Sequence, residues 1–393
     1  MRTALILAGG FGTRLAPITT TLSKSLVPID GQPALVTIIR QLEQAGIDRI
    51  VVFAGYLSWQ VEFMLKELSK KYRGKLVVSV TPPGFSPAQR LIHESHLWDD
   101  ASQVILIYCD NILKEADLVR HVRSHGVNRV LVQKRSPGNV IIEDTNSAKY
   151  SIVRSEARSY VELGYWCLSA ETFRSYLVAC MDMQKALQLF TENCQVQACE
   201  IEEYISISEL KRYVKDRHVR RRKTVFLDRD GVLIHSIGRG KYVKHLEEIR
   251  FIDNNIRFFK TISKRFKLDF IVVTNQAGIE REMVTAKEVD LINQHITCNL
   301  LKLGVPIIAF YVCPHHWESG CYCRKPNPGM INSAIREFDL VQSECLFVGD
   351  RESDLESGKN ANVDSFLLTE RMSNQERKEV CTEIINCLIR KDV

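Results

Sequence analysis

Short apolar runs alternate with amphipathic helical patterns along the first half of the chain. In the segment Ala34–Ala45, Leu35, Ile38, Ile39 and Leu42 recur at the spacing of one helix face. A second helix is predicted over Val61–Leu68. The predicted strands are Thr3–Ala8, Arg49–Ala54, Leu76–Val80 and Val104–Tyr108. This alternation predicts a mostly parallel sheet with helices on both faces.

The same alternation restarts at Thr224. The predicted strands of the second half are Thr224–Leu227, Asp269–Val273, Pro306–Val312 and Cys345–Val348. Its predicted helices are Asn254–Lys264, Ala286–Leu303, Met330–Phe338 and Asn374–Leu388. The sequence therefore predicts the α/β fold class, with two doubly wound, Rossmann-like domains in tandem and their chemistry at the carboxyl ends of the strands.

Length and composition agree with two globular domains. The chain has 393 residues, of which 45% are hydrophobic and 25% charged, and this excludes a disordered or fibrous protein. No stretch approaches 18 uncharged apolar residues, so we expect no membrane span. The apolar start of the chain is interpreted as a buried first strand and not as a signal peptide. A formal charge of +6 suits an anionic substrate as well as nucleic acid and does not choose between them.

A basic segment separates the two halves. Residues 211–223 carry eight Lys and Arg and one acid, which predicts a helix end followed by a solvated connector. The predicted domains are 1–217 and 224–393, joined by a linker at 218–223. A nucleic-acid-binding arm is disfavoured because no aromatic residues form a stacking platform there. We expect neither a nucleic acid nor a membrane as partner.

A glycine-rich loop follows the first predicted strand directly. Gly9, Gly10 and Gly12 allow main-chain N–H groups to close around a phosphate, and Arg14 and Lys24 add two cations. This combination suits a triphosphate. The whole stretch, Leu7-Ala8-Gly9-Gly10-Phe11-Gly12-Thr13-Arg14-Leu15 followed by a lysine before a proline, resembles the start of the sugar-1-phosphate nucleotidyltransferases.

That resemblance implies transfer of a nucleotidyl group from an NTP to a sugar 1-phosphate. Its nucleotide-binding residues would be Gly9, Gly10, Gly12, Thr13, Arg14 and Lys24. Asp110 matches the family's metal-binding aspartate and would bind Mg²⁺, although Cys109 replaces the usual glycine.

The first half also departs from the family pattern. Residues 82–88 lack the usual Gly-Thr-x-x-Ala segment, Glu162-Leu163-Gly164 replaces an Asn-Ala-Gly pattern, and 205–209 lack the second metal-binding aspartate. Two interpretations therefore stay open. The half is an active nucleotidyltransferase, in which Glu202 or Glu203 takes the missing role, or it is a non-catalytic binding domain.

A second constellation begins after the strand Thr224–Leu227. Asp228 and Asp230 are two residues apart, as covalent phosphoryl transfer requires of a nucleophile and a proton donor. Hydrogen-bond donors at 274–276, cations at Arg324-Lys325 and acids at 350–354 follow in order. This order resembles the haloacid dehalogenase superfamily of phosphohydrolases across 224–370.

The resemblance implies a role for each of these residues. Asp228 would be the nucleophile and Asp230 the general acid and base, while Thr274 and Lys325 bind the phosphoryl group. Mg²⁺ would be held by Asp228, the main-chain carbonyl of Asp230 and Asp350, with Asp354 in support. The substrate-binding residues would be Asn275, Arg324 and Tyr242.

Three cysteines and two histidines lie within 313–323. This spacing predicts a structural, tetrahedral zinc site made by Cys313, His315, Cys321 and Cys323, with His316 as the alternative histidine. The remaining cysteines are scattered and are interpreted as reduced thiols of a cytoplasmic protein.

The zinc loop followed by Cys-Arg-Lys-Pro is similar to the heptose-1,7-bisphosphate 7-phosphatases, with the histidinol-phosphate phosphatases as close relatives. The similarity implies removal of the 7-phosphate in nucleotide-heptose biosynthesis, on the same chain as the next step, nucleotidyl transfer. Three alternatives stay open: this phosphatase with an active first half, the same phosphatase with a non-catalytic first half, or a phosphatase for histidinol phosphate or another small phosphomonoester. The sequence leaves open the NTP, the anomer and the oligomeric state.

Overall fold

The computed structural model describes residues 1–123, 128–134, 141–142, 150–151, 160–238 and 240–391. These residues form two compact units. The first unit consists of Met1–Thr13, Ser23–Leu26 and Pro33–Glu209, and the second of Arg14–Leu22, Val27–Gln32 and Leu210–Val393. Within the described part of the chain, no helix is both long and apolar enough to cross a membrane.

Regular elements lie close to the positions that the hydrophobic pattern predicts. The strands are β1 (Arg2–Ala8), β2 (Pro28–Ile29), β3 (Gln32–Pro33), β4 (Arg49–Ala54), β5 (Lys75–Val80), β6 (Gln103–Tyr108), β7 (Asn111–Leu113), β8 (Asn128–Lys134), β9 (Ile141–Ile142), β10 (Tyr150–Ser151), β11 (Tyr160–Ser169), β12 (Val196–Glu200), β13 (Tyr204–Ser206), β14 (Lys223–Leu227), β15 (Leu268–Asn275), β16 (Ile307–Cys313), β17 (Leu346–Gly349) and β18 (Asp364–Leu367). The helices are α1 (Ile18–Thr21), α2 (Ala34–Gln44), α3 (Ser58–Lys71), α4 (Pro87–His93), α5 (Glu115–Arg123), α6 (Ala170–Cys180), α7 (Met183–Asn193), α8 (Leu210–Val219), α9 (Asp253–Phe266), α10 (Ala286–Leu303), α11 (Gly329–Glu337), α12 (Glu352–Asn360) and α13 (Asn374–Arg390).

The first unit is built on a seven-stranded sheet in the order β12-β8-β11-β6-β1-β4-β5. Its strands are parallel except for β11, which runs antiparallel to both of its neighbours. The inner strand β1, between β6 and β4, is buried from Thr3 onward, which explains its nearly continuous apolar sequence.

The second unit contains a five-stranded parallel sheet in the order β16-β15-β14-β17-β18. The central strand β14 lies between β15 and β17, so the chain segments after these three strands meet at one edge of the sheet. Buried residues of β14, β15, β16 and β17 and of α9, α10 and α13 form the core, and the partly buried Phe366 of β18 packs against it. The predicted α/β class is confirmed for both halves.

The basic segment differs from the expected solvated connector, because two of its arginines are buried. Arg217 donates from Nε to Asp269 Oδ2 at 2.8 Å, and Arg222 donates to both carboxylate oxygens of Asp269 at 2.6 and 2.9 Å. Burial alone would raise the pKa of Asp269, but the two guanidinium groups outweigh it and lower the pKa. Removing one partner of such a buried cluster typically costs about 3–5 kcal/mol. The segment therefore anchors α8 to the start of β15 in the second unit, and the domain limits 1–217 and 224–393 stay a proposal.

Candidate active site

The four phosphatase motifs meet at the carboxyl edge of the second sheet. Asp228 follows β14, Thr274 lies at the end of β15, and Asp350 follows β17. Lys325, from the loop before α11, donates from Nζ to Asp228 Oδ1 at 2.6 Å and to the Val273 carbonyl at 3.0 Å. Asp228, Thr274 and Lys325 line a cavity of about 420 Å³.

Lys325 also pairs with Asp354, from Nζ to Oδ1 at 2.7 Å. The other oxygen of Asp354, Oδ2, accepts hydrogen bonds from the main-chain N–H groups of Asp350 and Arg351, both at 3.0 Å. Both oxygens of Asp354 are thus engaged by the protein. This agrees with a supporting role for Asp354 and leaves Asp350 as the better metal ligand.

The charges at this site explain why a divalent cation fits. Burial raises the pKa of Asp228, Lys325 opposes this effect, and the carboxylates of Asp354, Asp350 and Asp230 add to it. Burial alone would lower the pKa of Lys325, but Asp228 and Asp354 raise it above its usual range. One ammonium group therefore faces two buried carboxylates, Asp228 and Asp354, and compensates their charge incompletely.

The donor atoms fit Mg²⁺ as well. Ligand oxygens of Asp228, Asp350 and Asp354 lie within 4.8 Å of one another. Asp350 Oδ1 is buried and has no hydrogen-bond partner in the described part of the chain. Oxygen-only ligands of this kind suit Mg²⁺. Gly231 belongs to the same arrangement, because its φ is +88° and a Cβ there would lie 2.3 Å from Asp350 Oδ2.

Two side chains to which the sequence assigned no specific role hold Asp230. Arg229 donates from Nε to Asp230 Oδ2 at 3.1 Å, and Gln276 donates from Nε2 to the same oxygen at 2.8 Å. Gln276 also donates to Thr274 Oγ1 at 2.8 Å. Arg229 is fully buried and anchored to Asn293. These contacts fix the direction of the Asp230 carboxylate.

The predicted substrate-binding residues all line the cavity, but their side chains differ in freedom. The amide of Asn275 is engaged at both ends by the main chain of Lys325, at 3.1 Å each. Arg324 donates to the carbonyl of His315 at 3.2 Å. The ring of Tyr242 lies close against Gly278, which has no side chain to displace it. Asn275 is therefore placed to position Lys325.

The cysteine cluster brings four possible metal ligands close together. Distances among the sulfur atoms of Cys313, Cys321 and Cys323 are 3.4–3.6 Å, and His315 Nδ1 lies 3.1 Å from Cys323 Sγ and 3.7 Å from Cys313 Sγ. Tetrahedral zinc with ordinary bond lengths needs separations of about 3.5–3.8 Å. Disulfides would need sulfur atoms about 2.05 Å apart, and all twelve cysteines are free.

His315 and not His316 joins the cluster. His316 Nδ1 accepts from the main-chain N–H of Glu318 at 3.3 Å, and its ring stacks on Trp317. The four donors offered by Cys313, His315, Cys321 and Cys323 fit a closed zinc site.

In the first unit, a cavity of about 330 Å³ opens beside the glycine-rich loop. Its lining includes Gly9, Gly10, Lys24 and Asp110. Lys24 Nζ lies 3.0 Å from Asp110 Oδ2, so the predicted cation and metal ligand are neighbours. Gly12 follows in the loop, and Thr13 and Arg14 are exposed in a short 3-10 helix, Thr13–Leu15.

The segment expected to carry a second metal-binding aspartate lies beside Asp110. Ser206 of β13 pairs with Asn111 of β7, and the N–H of Ile207 donates to the Asp110 carbonyl at 2.8 Å. The side chains at and just after this pair include the hydroxyl groups of Ser206 and Ser208, which lie 3.0 Å apart. Glu203 pairs instead with Lys114. Among the described residues, neither Glu202 nor Glu203 belongs to a group of acids that could hold a metal with Asp110.

Comparisons with known proteins agree with the two halves. The family model described as Nucleotidyl transferase matches residues 3–158, and the one described as HAD-hydrolase-like matches residues 322–383. D-glycero-beta-D-manno-heptose-1,7-bisphosphate 7-phosphatase of Helicobacter pylori strain J99 is 36% identical over 147 residues, which are 37% of this chain and 82% of the relative. D-glycero-alpha-D-manno-heptose-1,7-bisphosphate 7-phosphatase of Campylobacter jejuni is 35% identical over 179 residues, 44% of this chain and 98% of the relative.

Solved structures of a phosphatase and of a nucleotidyltransferase are also similar to parts of this chain. D,D-heptose 1,7-bisphosphate phosphatase from B. bronchiseptica is 25% identical, covers 41% of this chain and 86% of its own, and has a TM-score of 0.35. A putative glucose-1-phosphate thymidylyltransferase from Bacillus anthracis is 18% identical, covers 56% and 96%, and has a TM-score of 0.48. In the same chain, the nucleotidyl transferase domain precedes the phosphatase part. The identity and coverage of the phosphatase relatives show that the chain is a phosphomonoester hydrolase and belongs to the family of the D-glycero-D-manno-heptose-1,7-bisphosphate 7-phosphatases.

Proposed function

We propose that the C-terminal half removes the 7-phosphate of D-glycero-D-manno-heptose 1,7-bisphosphate through an aspartyl-phosphate on Asp228. The observation that carries this proposal is the Lys325 ammonium between the carboxylates of Asp228 and Asp354, beside the unpartnered oxygen of Asp350. A nucleophile, a compensating cation and an oxygen of Asp350 that has no partner among the described residues are thus brought together at the carboxyl edge of one sheet.

The residues support a two-step reaction. A carboxylate oxygen of Asp228 attacks phosphorus, the bond from phosphorus to sugar O7 breaks, and Asp230 donates its proton to O7. Asp230, now a carboxylate, takes a proton from the water that hydrolyses the aspartyl-phosphate and releases inorganic phosphate. Lys325 and Thr274 hold the phosphoryl group. Mg²⁺ bound by Asp228, the Asp230 carbonyl and Asp350 would reduce the repulsion between the anionic nucleophile and the phosphate.

The cavity favours a bisphosphate over histidinol phosphate. Besides Lys325, the described residues that line it include three further cations, Lys241, Arg324 and Arg351. A second phosphate on the substrate would interact favourably with these cations, whereas the amino group of histidinol phosphate would be repelled. The Helicobacter pylori relative is named for the beta anomer of the heptose and the Campylobacter jejuni relative for the alpha anomer, so the anomer stays open.

A phosphate-release panel tests this proposal. We expect the full chain with Mg²⁺ to hydrolyse one of the two anomers of heptose 1,7-bisphosphate with a kcat/KM at least about 10-fold above that for histidinol phosphate, a difference of about 1.4 kcal/mol. EDTA should abolish release and excess Mg²⁺ should restore it. A higher kcat/KM for histidinol phosphate or another small phosphomonoester would reject the heptose assignment, and full activity in EDTA would reject the metal.

For the N-terminal half, we propose that the cavity at the glycine-rich loop binds a nucleoside triphosphate and transfers its nucleotidyl group to heptose 1-phosphate only weakly. Binding needs the loop and cations such as Lys24, whereas transfer also needs a well-held Mg²⁺ at the α-phosphate. Ser206 and Ser208 offer hydroxyls where a carboxylate is expected, so the metal would be held mainly by Asp110.

Calorimetry of the full chain with each of the four NTPs and Mg²⁺ checks the nucleotide proposal. We expect measurable binding of at least one NTP, together with pyrophosphate release that is slow in the presence of heptose 1-phosphate. The substitution Ser206→Asp should accelerate pyrophosphate release, because it supplies the missing carboxylate beside Asp110. If no NTP binds, the half is a scaffold. If the wild-type transfer is fast and Ser206→Asp changes nothing, the assigned position of the second ligand is wrong.

A further inference from the structure

A buried arginine connects three loops of the first unit. Arg90, on α4, is 3% exposed. It donates to the carbonyls of Ala54 at 3.1 Å, Gly9 at 3.2 Å and Pro83 at 2.9 Å, and to the hydroxyl of Thr81. Gly9 follows β1, Ala54 ends β4, and Thr81 and Pro83 follow β5, and these are three adjacent strands of the sheet. One side chain therefore fixes the edge of the sheet that forms the cavity.

The charge of Arg90 is not neutralised by these contacts. All the acceptors named above are neutral carbonyl or hydroxyl oxygens, and no ion pair of Arg90 occurs in the described part of the chain. Burial lowers the pKa of Arg90, but an arginine stays charged in proteins. A buried cation without a counter-charge is costly, so an anion in the cavity that Arg90 lines would be stabilised by it.

The same side chain explains two glycines. A Cβ at Gly9 would lie 2.5 Å from Arg90 Cζ, and a Cβ at Gly55 would lie 2.5 Å from Arg90 Nη1. In contrast, a Cβ at Gly10 or Gly84, which also line the cavity, would meet no atom within 4 Å. The first glycine of the loop is thus required by Arg90, while Gly10 faces open space that a ligand could fill.

We propose that Arg90 is a positioning residue of the nucleotide site, which holds the Gly9 carbonyl against the ends of β4 and β5 and supplies the cavity with positive charge for a polyphosphate. This inference rests on the proposed binding of a nucleoside triphosphate at that cavity. Arg90 acts by holding the loop in place and by its positive charge. The absence of a side chain at Gly9 leaves room for the guanidinium group.

The test compares Arg90→Met with Arg90→Lys in the full chain. Calorimetry uses the NTP that the wild type binds most tightly, with Mg²⁺, well below the unfolding temperature of each variant. We expect Arg90→Met to raise Kd at least about 10-fold, because the variant loses both the positive charge and the contacts that hold the loop. Arg90→Lys, which keeps the charge but not the forked contacts, should give an intermediate Kd. Thermal unfolding of the same preparations shows whether the first unit is folded, and phosphatase activity shows the same for the second unit.

A double-mutant cycle tests the link between Arg90 and Gly9. Gly9→Ala should weaken NTP binding strongly in the wild type and by less than about twofold in an Arg90→Ala background, since the clash is then gone. A purely structural role would lower Tm and leave Kd of the folded protein unchanged, and that result or additive effects would overturn the inference. If the wild type itself binds no NTP, the proposed nucleotide site fails and the inference fails with it.

Discussion

Replacing Asp228 by Asn is expected to reduce the rate of phosphate release by on the order of 10⁴-fold or more, as removal of a catalytic nucleophile does in other enzymes. The substitution keeps the shape of the side chain but removes the negative charge that attacks phosphorus. It also leaves Lys325 with Asp354 as its remaining carboxylate partner among the described contacts. The measurement is kcat for the substrate that the release panel identifies, with saturating Mg²⁺.

Two further Asp-to-Asn substitutions are compared with Asp228→Asn, one as a control and one at the proposed general acid. Asp364→Asn makes the same chemical change at an exposed acid that pairs with Lys391, and we expect it to keep wild-type activity. Asp230→Asn should cost about 10²–10⁴-fold, the usual contribution of a general acid or base. Phosphate release near the wild-type rate by a folded Asp228→Asn protein would contradict covalent catalysis at this residue.

The carboxyl-edge rule for parallel sheets allowed most of the phosphatase site to be predicted. Asp228, Thr274 and Asp350 each follow or end an apolar strand, and such strand ends converge in the order β15-β14-β17. Lys325 lies in a loop, and its role is assigned only through the resemblance to the haloacid dehalogenase superfamily. The α/β class follows from the same periodicity and is confirmed.

The residues that were missed act through tertiary contacts. Arg229 and Gln276 both hold Asp230, but a single arginine and a single glutamine carry no periodic signal. Arg90 was missed for the same reason, since its partners are main-chain carbonyls distant in sequence. A signal did exist for Asp269, because an acid within the apolar strand β15 needs a buried cation, and the preceding basic segment offers two.

For two of the predicted metal sites, the sequence leaves open which residue is a ligand, and the structure narrows the choice. Spacing alone allows either His315 or His316 to complete the cysteine cluster, whereas only His315 has its ring nitrogen within 3.7 Å of two cysteine sulfurs. Likewise, the sequence offers Glu202 and Glu203 near the missing aspartate, but strand pairing puts Ser206 opposite Asn111. In both cases the side chains of residues close in sequence point in different directions. The local backbone conformation therefore determines which side chain lies near the other ligands.

The double substitution Cys321→Ser and Cys323→Ser is expected to remove about one zinc per chain and to destabilise the second unit. Two of four ligands are lost, and thiolates contribute most strongly to zinc affinity, so the remaining Cys313 and His315 should not retain the metal. If zinc binding contributes even about 3 kcal/mol to folding, Tm should fall by about 6–12 °C for a unit of this size. Metal analysis and thermal unfolding of the purified chain are the measurements.

The matched control is Cys180→Ser with Cys381→Ser, which removes two half-buried thiols outside the cluster and should leave both the zinc content and Tm nearly unchanged.

Phosphatase activity of the Cys321/Cys323 variant supplies a further criterion. Arg324 follows Cys323 directly and donates to the carbonyl of the ligand His315, so loss of zinc should displace Arg324 and Lys325 and lower phosphatase activity as well as stability. Zinc retained by the Cys321/Cys323 variant, or a wild-type protein purified without zinc, would show that the cluster does not hold this metal. Loss of zinc with unchanged activity would instead show that the fold of this loop, and with it the position of Lys325, is maintained by the other contacts of the site, such as the paired hydrogen bonds from Asn275.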